Sequence, residues 1–349
     1  MNTLSSALPG LLHRRTLLAG LAALAAGLQG CAASSTTPTP SQQPAPAGGL
    51  DLSRYALNRP VGPTVAETGS PHYRFDSFKL ASADGKRRYH VQLAVPLAAP
   101  PQAGYPLLYL LDGNAAFAAL TAEELEAMAR SGKPLAIAAI GYDTPLGVDV
   151  EARSYDYTPP VPGERITFDD ESRGRLGGGA DLFLDLLAQR IRPDVEKRVP
   201  ADPMRTTLWG HSYGGLLVLH TLFTRPHMFP RYASADASLW WHDGFLLSEE
   251  ARAVPLPAQR TTQLLLMAGS AAQEVASNVQ RPLRPGIDPA VAANALARRR
   301  VLPPDAAERQ AERLQKRAGL AVDWRMFPGV SHGPMRPASI PPTLLFAAQ

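Results

Sequence analysis

Eight short apolar runs, each closed by turn-forming residues, frame the chain. They lie at residues 74–80, 89–95, 107–111, 135–140, 206–209, 232–236, 264–268 and 322–327, and apolar runs of this length between turn signals predict β-strands. The first two alternate apolar and polar positions, as edge or antiparallel strands do. The middle ones are continuously apolar, as parallel strands covered on both faces are. Helical spacing appears between the later strands: residues 180–198 place Leu182, Leu186, Ile191 and Val195 near one face, and 214–223 stops short of Pro226. Strands alternating with helices predict an α/β fold, a mostly parallel central sheet of about eight strands with helices on both faces. An extra segment, residues 271–319, precedes the last strand. Its second half opens on Asp305-Ala306-Ala307-Glu308, which looks like a capping box, and carries Ala307, Ala311, Leu314 and Ala318 at helical spacing before Gly319. This insertion is expected near the strand ends.

The N-terminus follows a different pattern. His13-Arg14-Arg15-Thr16 precedes an apolar run from Leu17 to Leu28, too short to span a bilayer as a helix and laid out as a signal peptide over residues 1–30. The run ends in Leu28-Gln29-Gly30-Cys31, which resembles a bacterial lipobox, so Cys31 is the expected lipidation site and new N-terminus; the paired arginines hint at twin-arginine export. Residues 31–49, rich in Ser, Thr, Pro and Ala, hold no aromatic or charged residue and read as a tether. From residue 50 to 349 the composition is globular, without repeats, and reads as one catalytic domain. Cys31 is the single cysteine, which excludes an intramolecular disulfide, a Cys-cluster metal site and a CxxC redox pair. Removing Arg14 and Arg15 from the 35 Lys+Arg leaves 33 against 31 Asp+Glu, a balance of +2 that is no nucleic-acid footprint. The basic stretch 281–317, including Arg298-Arg299-Arg300, reads as a solvated helical face or as a positive rim for an anionic substrate.

The chemistry centres on Thr206-Thr207-Leu208-Trp209-Gly210-His211-Ser212-Tyr213-Gly214-Gly215, a strand, then GxSxG, then a helix. That is the context of a nucleophile elbow, in which Ser212 sits on a strained turn and the glycines leave room for close strand–helix packing. A serine nucleophile needs a base. Of eight histidines, His332 lies in the loop-like segment after the last strand, where the order serine, acid, histidine places it. The acid is expected after strand 264–268, where Glu274 is the nearest carboxylate; Asp236, at the end of the preceding strand, stands second, and a Ser/His dyad is a third arrangement. Backbone N–H groups of Tyr213 and of Gly113 or Asn114, in the loop after the third strand, are the expected oxyanion donors. Gly177-Gly178-Gly179 lacks the Gly-Lys-Ser/Thr of a phosphate loop and reads as a flexible helix entrance.

Five segments occur in order: Arg153-Ser154-Tyr155-Asp156-Tyr157-Thr158-Pro159, Gly178-Gly179-Ala180, Gly210-His211-Ser212-Tyr213-Gly214-Gly215, Ser238-Leu239-Trp240-Trp241 and Ser331-His332-Gly333-Pro334-Met335. Together they resemble the periplasmic siderophore trilactone esterases, the enterobactin and salmochelin hydrolase branch of the α/β-hydrolase superfamily, over residues 74–335. The resemblance implies Ser212 as nucleophile, His332 as base and Arg153 as a substrate contact, with Trp240 or Trp241 as a stacking face for a catecholate. Taken with the lipobox-like segment, it gives the expectation of a lipid-anchored periplasmic serine esterase that needs no metal or organic cofactor, iron arriving only with the substrate. Two departures stand out: Ala271-Ala272 where a family carboxylate is expected, and Asp236-Ala237 where Ser-Pro is expected. The alternatives are the same fold acting on a feruloyl or simple acyl ester, and a non-catalytic lipoprotein that carries a ferric siderophore. The second leaves the elbow serine without a use.

Overall fold

A computed structural model describes residues 59–171, 174–270, 297 and 302–349. The leader, Cys31, the tether, Glu274 and the triple arginine lie outside these residues. All eight expected strands form, half of them longer at both ends than the apolar runs: β1 (Tyr73–Ala81), β2 (Arg88–Pro96), β3 (Tyr105–Leu111), β4 (Ala136–Tyr142), β7 (Ala201–His211), β8 (Arg231–Ala235), β9 (Thr262–Gly269) and β10 (Leu320–Phe327). They make one sheet in the order β1-β2-β4-β3-β7-β8-β9-β10. β1 and β2 pair antiparallel, as does β2 with β4, and the rest are parallel.

The continuously apolar runs occupy the centre because both faces there are covered. Every residue of β3 and β4 is buried. β3 sends Leu107, Tyr109 and Leu111 into the core on one face and Leu108 and Leu110 into the core on the other. Each such side chain, fully buried, contributes about 1.5–3 kcal/mol.

The helix over 180–196 differs in phase from its expectation. Its buried stripe runs Phe183, Leu187, Ile191, Val195, while Leu182 is 59% exposed. A stride of four residues drifts against a 3.6-residue turn, and the wider π turn at Leu187–Ile191 takes up that drift. In the insertion, the helix Ala306–Gln315 buries Ala311 and Leu314. Asp305 makes no capping hydrogen bond there, because its carboxylate reaches Arg309 Nε at 2.8 Å instead.

Two further elements had no sequence signal. A small hairpin pairs β5 (Phe168–Asp170) with β6 (Arg175–Leu176), and the segment after β10 is a helix, His332–Ala347, despite Pro337, Pro341 and Pro342 inside it. The three glycines after the hairpin are close-packed rather than flexible: a Cβ on Gly179 would lie 2.2 Å from the Tyr155 ring, and Gly178 N–H donates to Thr158 Oγ1 at 3.0 Å. They fasten the hairpin to the helix Val150–Tyr157.

On the elbow helix Tyr213–Thr224, His220 is buried and its Nδ1 lies 2.8 Å from Glu249, with Asp181 3.6 Å from Nε2 and Arg225 joined to Asp181. Burial alone lowers the pKa of this imidazole, but the two carboxylates outweigh burial and raise it to about 9. A raised folded pKa stabilises the protein below the unfolded value and loses that contribution as pH rises through about 9. We therefore expect stability to fall between pH 7 and pH 10 by on the order of 2 kcal/mol. Urea denaturation of the wild type and of His220→Gln across that range checks it, since the variant should show a flatter decline.

Candidate active site

β7 ends at His211, and Ser212 follows with φ 61° and ψ −117°, a conformation strained for any residue but glycine. Close packing makes this turn possible. A Cβ on Gly210 would come within 2.3 Å of the Gly214 backbone, so only glycine lets the elbow helix leave this close to the strand. Ser212 N–H donates to Ala235 O at 3.1 Å, and Ser238 N–H donates back to Ser212 O at 3.2 Å, tying the elbow to the end of β8. The strand register pairs His211 with Ala235.

His332, the first residue of the C-terminal helix, presents Nε2 to Ser212 Oγ at 3.1 Å. Its Nδ1 lies 2.6 Å from Asp236 Oδ2. The partner of Nδ1 is therefore Asp236, which the sequence placed second; Glu274, placed first, lies outside the described residues. Asp236 reaches His332 by taking φ 45° directly after β8, a left-handed conformation that aspartate tolerates better than most residues, and its N–H donates to Met267 O at 2.7 Å. The three residues form a relay that can draw the serine proton to Nε2 and hold the resulting imidazolium against a carboxylate.

Sequence reasoning missed His211. Its Nε2–H donates to the carbonyl of His332 at 2.7 Å, and the two rings lie 4.8 Å apart. Burial, and then the neighbouring His332, hold its pKa well below the usual histidine range, so it stays a neutral donor. Its place one residue before the serine was the available signal. Ligand atoms of His211, Asp236 and His332 fall within 4.8 Å of one another, but both His332 nitrogens and Nε2 of His211 are already used in the relay and its support.

The oxyanion side is built by the loop after β3. Asp112 takes φ 52° and ψ 46° and opens the helix Gly113–Ala119. Gly113 and Asn114 are the first two residues of that helix, and Tyr213 is the first of the elbow helix, positions whose N–H groups have no intrahelical acceptor. The Asn114 side chain is structural: Nδ2 donates to the carbonyls of Tyr142, Thr144 and Leu146 at 2.9–3.0 Å. Arg153 holds the loop by a fork, Nε and Nη2 each 2.8 Å from an Asp112 carboxylate oxygen, and Asp112 N–H donates to Tyr157 OH at 3.1 Å.

This changes two expectations. Arg153 is 7% exposed and its charge is matched by Asp112, so it is no open cation facing substrate. Asp156, in the same helix, faces elsewhere: it engages Arg87 at 2.9 Å and the hydroxyls of Tyr89 and Tyr142. Trp241 is 1% exposed and donates from Nε1 to Asp169 at 3.2 Å, which makes it a core residue. Trp240 is half-buried, with its ring 6.1 Å from that of Tyr213.

The comparisons with known proteins agree with this geometry. Residues 82–281 match the model of the family described as "Putative esterase". The apo-salmochelin esterase of Escherichia coli O6:H1 is 41% identical over 215 residues, 62% of this chain and 67% of that protein. The ferri-bacillibactin esterase BesA of Bacillus subtilis is 32% identical over 56% of this chain and 69% of its own. Among solved structures, the enterobactin hydrolase IroE in complex with DFP superposes with a TM-score of 0.60 at 34% identity, covering 81% of this chain and 98% of the other. A nucleophile elbow, a relay completed across two strands and this degree of likeness lead to one assignment: the chain belongs to the Putative esterase family, with the mostly parallel, helix-flanked sheet of an α/β-hydrolase.

Proposed function

We propose that the protein is a serine esterase that hydrolyses the ester (lactone) bonds of a catecholate siderophore such as enterobactin, releasing its iron. The reading is carried by the Ser212–His332–Asp236 relay in a chain whose relatives are named for siderophore hydrolysis. Ser212 Oγ attacks the ester carbonyl while His332 Nε2 takes its proton and Asp236 stabilises the imidazolium. The N–H groups of Tyr213 and of Gly113 or Asn114 receive the oxyanion. The alkoxide leaves with the proton from His332, giving an acyl-serine, and a water activated by the same imidazole hydrolyses it. Water apart, each step is carried by residues of the chain, and iron is part of the substrate.

Turnover of iron-free and ferric enterobactin by the detergent-solubilised protein, set beside simple p-nitrophenyl esters, tests this reading. A kcat/KM for the siderophore well above that for the simple esters supports it; the reverse order points to an ordinary carboxylesterase.

The proposal extends to location: the lipobox-like Leu28-Gln29-Gly30-Cys31 supports a mature enzyme in the periplasm, held to a membrane by acylated Cys31. Wild type should then fractionate with membranes and incorporate labelled fatty acid, and Cys31→Ala should do neither. Normal membrane attachment of the mutant removes the anchor.

A further inference from the structure

The hairpin β5–β6 docks on the residue that follows the nucleophile. The buried side chain of Asp169 gathers three groups: Arg175 Nε at 2.5 Å on Oδ2, Trp241 Nε1 at 3.2 Å on Oδ1, and the hydroxyl of Tyr213, which faces the same carboxylate. His242 Nε2 meets the Phe168 carbonyl at 2.8 Å on one side of the hairpin, and the close-packed glycines fasten the other.

Two guanidinium groups therefore border Tyr213, and they differ. Arg153 lies 5.1 Å over the Tyr213 ring, but it is sealed in and neutralised by its fork to Asp112. Arg175 commits only Nε to Asp169. Its next carboxylate contact, Nη2 to Asp170, is 3.9 Å long, and its side chain is 16% exposed. Among the described residues its remaining N–H groups make no hydrogen bond. The result is a cation held in one orientation by a buried carboxylate, with donors to spare, beside buried Tyr213 and, against it, half-buried Trp240. A fixed guanidinium binds paired oxygens more tightly than a floppy one because less ordering is left to do on binding.

We infer that Arg175 forms an anion subsite, with the Trp240 ring, backed by Tyr213, as its aromatic wall, that takes a negatively charged aryl arm of the ester substrate while the scissile carbonyl sits at Ser212. A full tyrosine side chain separates the Asp169 anchor from the elbow backbone, so Arg175 meets the arm and not the reacting carbon. The subsite rests on the esterase reading above and adds to it the residue that selects for charge.

Two para-substituted aryl esters, the anionic p-nitrophenyl 4-sulfobenzoate and the neutral p-nitrophenyl 4-methylbenzoate, test the subsite alongside ferric enterobactin, with the full-length protein and its Arg175→Gln and Arg175→Lys variants. Arg175→Gln should raise KM about 10- to 100-fold for the sulfobenzoate and for ferric enterobactin, the scale of a lost charged hydrogen bond. Loosening of the Asp169 anchor beside Tyr213 slows both aryl esters alike, so the decisive reading is the ratio of the two kcat/KM values, sulfobenzoate over methylbenzoate, which Arg175→Gln should lower about 10- to 100-fold and Arg175→Lys should partly restore. Equal effects on both aryl esters, or none on either, overturn the subsite. In wild type, KM for the sulfobenzoate should climb with ionic strength while that for the methylbenzoate stays level; a flat profile for both also overturns it, whatever the variants do. Should wild type cleave the aryl esters but not enterobactin, the siderophore reading falls while the charge test still stands on the ester pair. Should it cleave enterobactin with a KM that ignores Arg175, the subsite falls alone.

Discussion

Ser212→Ala and His332→Ala are each expected to lower kcat by about 10⁴- to 10⁶-fold, and the double variant to be no worse than the singles, because the pair moves one proton as a unit. The expectation follows from the 3.1 Å contact between Oγ and Nε2. Asp236→Asn should cost about 10²- to 10⁴-fold, since an amide keeps the shape yet cannot balance an imidazolium. Stopped-flow release of p-nitrophenol and labelling by a fluorophosphonate probe measure both steps. A Ser212→Ala protein that turns over substrate by the same route contradicts the assignment. An Asp236→Asn loss of only a few fold would mean that His332 works as half of a dyad.

Arg153→Ala is expected to reduce kcat/KM on a small neutral p-nitrophenyl ester as severely as on the siderophore, by about 10²- to 10³-fold, because the Asp112 loop that presents Gly113 and Asn114 loses its clamp. Breaking a buried ion pair on one side also leaves an unmatched carboxylate, at a cost of about 3–5 kcal/mol in stability. Thermal melting should show that loss, and Asp112→Ala should copy both effects. Asp156→Ala should lower stability through Arg87 and leave the oxyanion loop in place. A loss confined to the siderophore, with the small ester spared, would instead put the guanidinium against substrate.

The strands were legible because continuous apolar runs such as Leu107–Leu111 have few places to go but the covered centre of a sheet. Ser212 and His332 were legible because the elbow and the final histidine keep fixed places in chain order. The acid was not, for the same reason: the usual order points past β9, whereas Asp236 stands at the end of β8, where Tyr232–Asp236 reads simply as the end of an apolar run. The hairpin left no mark because strands of two or three residues show no alternation. The C-terminal helix was hidden by Pro337, Pro341 and Pro342, each of which removes a backbone donor; burial of Met335, Ile340, Leu344 and Phe346 offsets that loss. For Arg153, spacing along the chain could not show that its carboxylate partner lies 41 residues earlier, just after β3.

Because nucleophile and acid leave neighbouring, hydrogen-bonded strands, the distance between them is fixed by the sheet register His211–Ala235 and not by a loop. The chain between β9 and β10 is thereby released from supplying a proton-relay group. Insertions, deletions and exchanges there carry no direct penalty in bond cleavage, so natural selection can rewrite that stretch for new ligands while the hydrolytic machinery stays unchanged. Within a lineage, the β9–β10 stretch should accordingly be the fastest-diverging part of the catalytic domain.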